Sequence, residues 1–405
     1  LATATQIEQI EPSVGGHGTA DNPALRLDPE LSLLLACCSA EISGGQSQLD
    51  QILPARLNWD RTLKLAEHHR LLPSLHASVC NNGDVPVSIR SAIRARFQKH
   101  VTRVLRFSAE LSRITRQFED RGIQVLAHKG PALSQLLYAD QAMRQFGDLD
   151  FLVRDRDVRR ARAALIELGY EPRLHLSPRQ EKGYLHSGYE FVFGLGPERN
   201  LVELQWQILP RFYATEFDME ELFQRSVDLK LDGIRLRTLG DEDQLLVLCV
   251  HAAKHQWAQV AMLRDIAVLA RRQLNWQLVE AEAERLRILR ILAICLWLSR
   301  SLFQCELPRV VQALADAIYG HAKGPASAIQ TRLIGGAELN PESFAYFRAM
   351  MAVRERWQDR VRFAYRLALT PSVSEWQTIR LPDALFGLYR GIRLLRWARR
   401  FSFPS

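Results

Sequence analysis

The sequence predicts an α+β protein: a small mixed sheet with flanking helices, set between an N-terminal and a C-terminal helical subdomain. Three observations carry that expectation. Residues 29–121 and 240–405 place apolar residues mainly at helical spacing, whereas residues 122–239 break into short apolar or alternating runs punctuated by glycine turns. Between them, Val125-Leu-Ala-His-Lys-Gly-Pro-Ala-Leu133 and Arg144-Gln-Phe-Gly-Asp-Leu-Asp-Phe-Leu-Val153 read as strand, glycine turn, helix, loop and strand.

Residues 1–28 contain Gly, Pro, Thr and Asp without periodicity and read as a flexible tail. In the N-terminal helical subdomain (29–121), Leu31–Ala40 forms one apolar helix and Trp59–His69 an amphipathic one. Ser88–Glu119 forms a third, with Val101, Leu105, Leu111 and Ile114 as its apolar positions. His68 and His69 are adjacent on a helix, point in different directions and make a poor metal pair.

The central unit (122–239) begins with a strand at Ile123–Ala127, a helix at Pro131–Tyr138 and a strand at Leu149–Val153. A helix over Arg156–Gly169 follows. Tyr189–Leu195 and Leu201–Ile208 form an antiparallel hairpin around the turn at 196–200. Val227–Leu231 and Ile234–Thr238 form a second around Asp232-Gly233. The C-terminal subdomain (240–405) opens with a helix over Asp241–Trp257, whose first turn is acidic. A core helix at Leu286–Phe303, a looser link at Gly324–Pro341 and an arginine-rich helix at Glu342–Leu369 follow.

With 405 residues and 47% hydrophobic content, the chain can bury more than one ordinary core. A formal net charge of +8 favours anionic partners without choosing among nucleotide phosphates, nucleic acid and acidic lipid. Helix-turn-helix and zinc-finger spacings are both missing, which argues against nucleic acid. Six cysteines without a CxxC pair suit reduced thiols and a cytoplasmic location. The first residues lack the basic start and apolar run of a secretory signal, and no apolar stretch is long enough to span a bilayer.

Chemistry concentrates at Asp148-Leu-Asp150. One intervening residue on a strand puts both carboxylates on the same face, about 7 Å apart by two strand rises, with Leu149 and Phe151 turned into a core. Such a pair suits a hard cation that keeps substrate phosphate in its shell, as in metal-assisted phosphoryl or nucleotidyl transfer. Downstream, His251, Lys254 and His255 share one helix face. His251 and His255 have zinc-ligand spacing, but HAAKH lacks the glutamate of HExxH metalloproteases.

Lys129-Gly130, Tyr138, Arg144, Gly147, Asp148, Asp150, Leu152 and Val153 together resemble the uncharacterised nucleotidyltransferase family, a branch of the DNA polymerase beta-like superfamily. The resemblance runs from about Leu31 to about Arg400 and is strongest from Val125 to Asp265. It implies a glycine turn opening a helix, a strand bearing the aspartate pair and a third carboxylate on a later strand. Glu203, on the opposite face from Val202, Leu204 and Trp206, is the candidate for the third. It further implies that Asp148 and Asp150 hold magnesium or manganese against a nucleoside triphosphate, and that Glu203 helps deprotonate an acceptor hydroxyl as pyrophosphate leaves.

Gly130 and the helix after it would approach the phosphates, with Lys129, Arg144, His251, Lys254 and His255 as phosphate or nucleotide contacts. The acceptor class, whether small molecule, peptide or protein, stays open. Pro131 departs from the superfamily, which usually has serine or glycine there, and this favours the alternative of a non-catalytic nucleotide- or peptide-binding relative. The arginine-rich segment 386–403 is also a candidate for peripheral membrane contact.

Overall fold

The computed structural model describes residues 28–402 apart from 45–46, 54–55, 197–200, 337–338, 341–342, 372 and 380. The tail expected over 1–28 therefore lies outside the described residues except for Asp28, as does most of the turn expected at 196–200. Seven strands are described: β1 Val125–Ala127, β2 Asp148–Val153, β3 Glu171–Pro172, β4 Glu190–Gly194, β5 Leu201–Gln205, β6 Val227–Leu231 and β7 Ile234–Thr238. The first five form one sheet in the order β1-β2-β5-β4-β3, and β6 pairs with β7. β2 and β5 run parallel while β1–β2, β3–β4 and β4–β5 are antiparallel, so the sheet is mixed as the sequence predicts.

Alternation explains how the sheet is sandwiched. Leu149, Phe151 and Val153 of β2, with Val202 and Leu204 of β5, are buried in one apolar cluster. The helix Val87–Asp120 covers that face, presenting Val104, Phe107, Leu111, Ile114 and Phe118 at spacings of three and four. Phe118 meets Phe151 edge-on at 5.5 Å. The sequence reading had placed Leu105 on the apolar stripe, but it is 63% exposed: the stripe runs one residue away, through Val104.

The opposite face carries Asp148, Asp150 and Leu152. Leu126 and Leu152 join a second apolar cluster that also contains residues of the N-terminal helices and of the helices after Gly240. That cluster unites segments distant in the chain. The Ser39 hydroxyl, for example, donates to the Phe303 carbonyl at 2.7 Å. Asp241–Lys254 is buried nearly all round and packs against Val260–Ala270 and Leu289–Phe303.

Four C-terminal expectations need correction. The helix beginning at Asp241 stops at Lys254, where the Gln256 and Trp257 amides bond back to Ala253 and Ala252 in a Schellman turn. The helix expected from Leu286 starts instead at Leu289 and runs to Phe303, because Leu286 closes the preceding helix, Trp276–Leu286, and Arg287 breaks the helical run there with φ 60°. Gly324–Gly335 belongs to a continuous helix, Arg309–Gly335, with Pro325 inside it. There, Ala322, Ala326, Ile329 and Leu333 are buried, and this packing outweighs the local preference of Gly324-Pro325 for a break. Phe344–Ala352 and Trp357–Leu369 replace the single helix expected over 342–369.

Among the described residues, no helix is long and apolar enough to cross a membrane.

Candidate active site

The site is assembled where the second face of the sheet meets the helix Asp241–Lys254. It starts with a turn only glycine takes cheaply. Gly130 has φ 58°, and a Cβ there would come within 3.1 Å of the Asp148 carbonyl oxygen. This close approach brings the first turn of the helix Gly130–Tyr138 against the start of β2. Pro131 sits in that first turn, where a missing N–H costs the helix nothing, although it removes one donor from the helix end.

The parallel pairing of β2 with β5 sets Asp150 opposite Glu203. One carboxylate oxygen from each of Asp148, Asp150 and Glu203 lies within 4.8 Å of the others. Asp148 and Glu203 line a cleft of about 480 Å³ that opens above them. Asp150 lies in its floor, 2% exposed. Its Oδ1 accepts from Lys129 Nζ at 2.8 Å and from Gln205 Nε2 at 3.0 Å. Its Oδ2 is buried with no hydrogen-bond partner.

Three carboxylates this close cannot all ionise freely. Burial first, then the charges of Asp150 and Glu190, push Glu203 up to about 10. Burial and the Asp150 charge likewise raise Asp148. For Asp150, burial opposes ionisation, but the charge and hydrogen bond of Lys129 prevail and hold it down at about 2. The floor is therefore an anionic Asp150 paired with Lys129, next to two carboxyls that hold their protons more tightly than usual.

Cations and imidazoles surround this floor. Arg144 is clamped by Asp265, which accepts from its Nε at 2.6 Å and also from the Tyr138 hydroxyl at 2.7 Å. Arg144 Nη1 is buried without a partner. Lys254 donates to the Tyr189 hydroxyl at 2.6 Å, and Tyr189 donates onward to Glu190 Oε1 at 2.5 Å. His251 and His255 lie with ring centroids 4.5 Å apart, their planes tilted by 55°. Desolvation by the cleft walls and the nearby lysines draw both well below the ordinary histidine range, so both are neutral at pH 7. Among the described residues, neither belongs to a cluster of three or more potential metal-ligating side chains.

The candidate catalytic, metal and phosphate-binding residues therefore gather at one cleft: Lys129, Gly130, Arg144, Asp148, Glu203, His251, Lys254 and His255 line it, and Asp150 underlies it. Sequence reasoning missed Arg70, Tyr189, Glu190 and Gln205. The last two were accessible from pattern, since Glu190 and Gln205 occupy the polar phase of β4 and β5 that Glu203 also occupies. Gln205 organises the floor, donating to Asp150, to Glu203 at 2.9 Å and accepting at His128 Nε2 distance of 2.9 Å.

The segment 386–403 is divided between a 3₁₀ turn, Asp383–Leu388, and a helix, Tyr389–Ser402. Arg393 and Arg396 pair with buried Glu375 at 3.2 and 3.0 Å, so two of the arginines expected to face lipid are committed to the protein.

A mixed sheet flanked by helices, with an aspartate pair on one strand and a glycine-opened helix beside it, places the chain in the nucleotidyltransferase class. The family model described as "Uncharacterised nucleotidyltransferase" matches residues 55–304, well over half of the chain, and the chain belongs to that family. Two solved structures are similar. One is ANT(2")-Ia in complex with adenylyl-2"-tobramycin, at 14% identity and TM-score 0.33, covering 44% of this chain and 96% of that one. The other is an antigenic nucleotidyltransferase-like protein from Paracoccidioides brasiliensis, at 15% identity and TM-score 0.28, covering 49% and 93%. No curated protein matches.

Proposed function

We propose that the protein transfers a nucleoside monophosphate from a nucleoside triphosphate to an acceptor hydroxyl, with release of pyrophosphate. The observation that carries this reading is the convergence of Asp148, Asp150 and Glu203 within 4.8 Å, beside a glycine-opened helix, in a cleft lined by cations. The donor set fits a hard divalent cation, magnesium or manganese: it is all carboxylate, and the orphaned Asp150 Oδ2 is an acceptor that such an ion would satisfy. Asp148, Asp150 and Glu203 would hold it, and when bound it would supply charge neutralisation and Lewis acidity at the phosphates.

The remaining steps belong to the chain itself. Gly130 gives the phosphates access to the helix end. Lys129, Arg144 and Lys254 supply positive charge, while neutral His251 and His255 are restricted to hydrogen bonding. Glu203, which would be ionised once it ligates a cation, receives the acceptor proton as the acceptor oxygen bonds to the α-phosphorus and the bond to the β-phosphate oxygen breaks. The acceptor is a small molecule, a peptide or a protein.

One feature favours a second reading, a non-catalytic nucleotide- or peptide-binding protein. Lys129 Nζ already occupies Asp150 Oδ1, where it can substitute for a metal charge. Triphosphate labelled at the α-phosphate separates the two. Label appearing on an acceptor as pyrophosphate forms supports transfer; label moving from the γ-position makes the protein a kinase; binding without movement across a broad acceptor panel supports the second reading.

A further inference from the structure

The helix Trp59–His68 ends in a Schellman turn: the Arg70 amide bonds to the Glu67 carbonyl at 3.2 Å and the Leu71 amide to the Ala66 carbonyl at 2.7 Å. The position just past such a helix end takes a left-handed backbone and is commonly glycine. Here it is Arg70, at φ 57°. A side chain in this conformation costs about 1 kcal/mol or more relative to glycine. Local stability therefore gives no reason for arginine at this position.

The surroundings do give one. Arg70 lines the same cleft as Asp148, Glu203 and Arg144. It is exposed there, and among the described residues its guanidinium makes no hydrogen bond and no ion pair. In the same lining, Arg144 is fixed by Asp265 yet keeps Nη1 buried and unpartnered. Two guanidiniums thus face one cleft with donors unused, next to the carboxylates that would hold the metal. Planar guanidinium donors match phosphate oxygens two at a time.

We propose that Arg70, contributed by the N-terminal helices, joins Arg144 in a clamp on the β- and γ-phosphates of the bound nucleotide, the part that leaves as pyrophosphate. This rests on reading the cleft as a triphosphate site. Arg144 is the rigid half, positioned by Asp265. Arg70 is the free half, and its strained backbone holds it where a relaxed turn would carry no side chain.

The turn supplies its own folding control. Arg70→Gly removes the guanidinium and relieves the left-handed strain, so this variant should melt at or above the wild-type temperature. It should bind a non-hydrolysable ATP analogue and inorganic pyrophosphate, each with magnesium, at least tenfold more weakly than wild type by calorimetry. AMP affinity should change less than twofold, and Arg70→Lys should recover part of the loss. Triphosphate and pyrophosphate affinities within twofold of wild type in Arg70→Gly would overturn the clamp, as would an equal loss for AMP. Wild-type protein that binds neither analogue nor pyrophosphate would overturn the triphosphate reading itself, and the clamp with it.

Discussion

At the scale of single residues, the cleft depends on a few positions where chemistry and backbone geometry coincide. Gly130 is one: φ 58° and the 3.1 Å approach to the Asp148 carbonyl leave no comfortable place for a methyl group. Gly130→Ala should destabilise the protein by about 1–2 kcal/mol, read as a lower denaturant midpoint, and should disturb the carboxylate strand it abuts. Asp148→Asn tests the metal site more directly. Asp148 is half-buried at the cleft, so the fold should survive while manganese binding, followed by calorimetry, falls by an order of magnitude or more. Unchanged manganese affinity would remove Asp148 from the ligand set. Glu203→Gln should depress turnover while the nucleotide still binds, because the two aspartates remain.

At the scale of elements, the helix Asp241–Lys254 and its successor Val260–Ala270 connect the sheet to the N-terminal helices. Lys254 projects from the last turn of the first to Tyr189, and through it to Glu190. If it serves the phosphates as proposed, Lys254→Ala should raise the Michaelis constant for nucleotide and leave acceptor affinity nearly unchanged. Arg264, on the second helix, is fully buried. It donates to the Ser74 hydroxyl at 2.7 Å and the Met143 carbonyl at 2.9 Å, and its guanidinium lies 4.8 Å from the Tyr138 ring centroid. Its neighbour Asp265 holds Arg144. Removing Arg264 would leave two buried acceptors without their donor and the carboxylates of Glu41 and Asp265, 3.7 and 3.6 Å away, without their counter-charge, so Arg264→Ala should cost about 3–5 kcal/mol of stability, measurable by chemical denaturation.

At the scale of the whole molecule, buried histidines tie stability to pH. Burial, followed by the neighbouring His68 charge, lowers His69 to about 3, and burial also lowers His100. In the unfolded chain both take a proton near pH 6.5, whereas in the folded state both titrate lower, His69 at about 3. The unfolded state therefore binds more protons in this window, and stability falls as pH drops. The slope from His69 approaches about 1.4 kcal/mol per pH unit between 6.5 and its lowered value, and His100 adds in the same sense. Raised Glu203 acts in the opposite sense, because the folded state holds its proton where the unfolded chain has lost it, so the histidine effect is read by difference: between pH 7 and 4.5 the melting temperature of wild type should fall relative to that of His69→Gln.

The sequence by itself determined the fold class, every strand except the two-residue edge strand β3, and the acidic strand with its glycine turn. These features are local: alternation in β2 and the Asp232-Gly233 hairpin each follow from residues near one another. It also placed Glu203 on the polar phase of β5. What tertiary structure decided was which distant groups meet. The parallel pairing that sets Asp150 opposite Glu203 joins strands about fifty residues apart. The Arg144–Asp265 pair spans 121 positions. The Pro325 helix was misread because local propensity points to a break while burial of Ala322, Ala326 and Ile329 supports continuation. Arg70 was invisible for a related reason: its place in the cleft follows from how the N-terminal helices dock on the sheet, and docking is set by the summed burial of many side chains rather than by any short pattern.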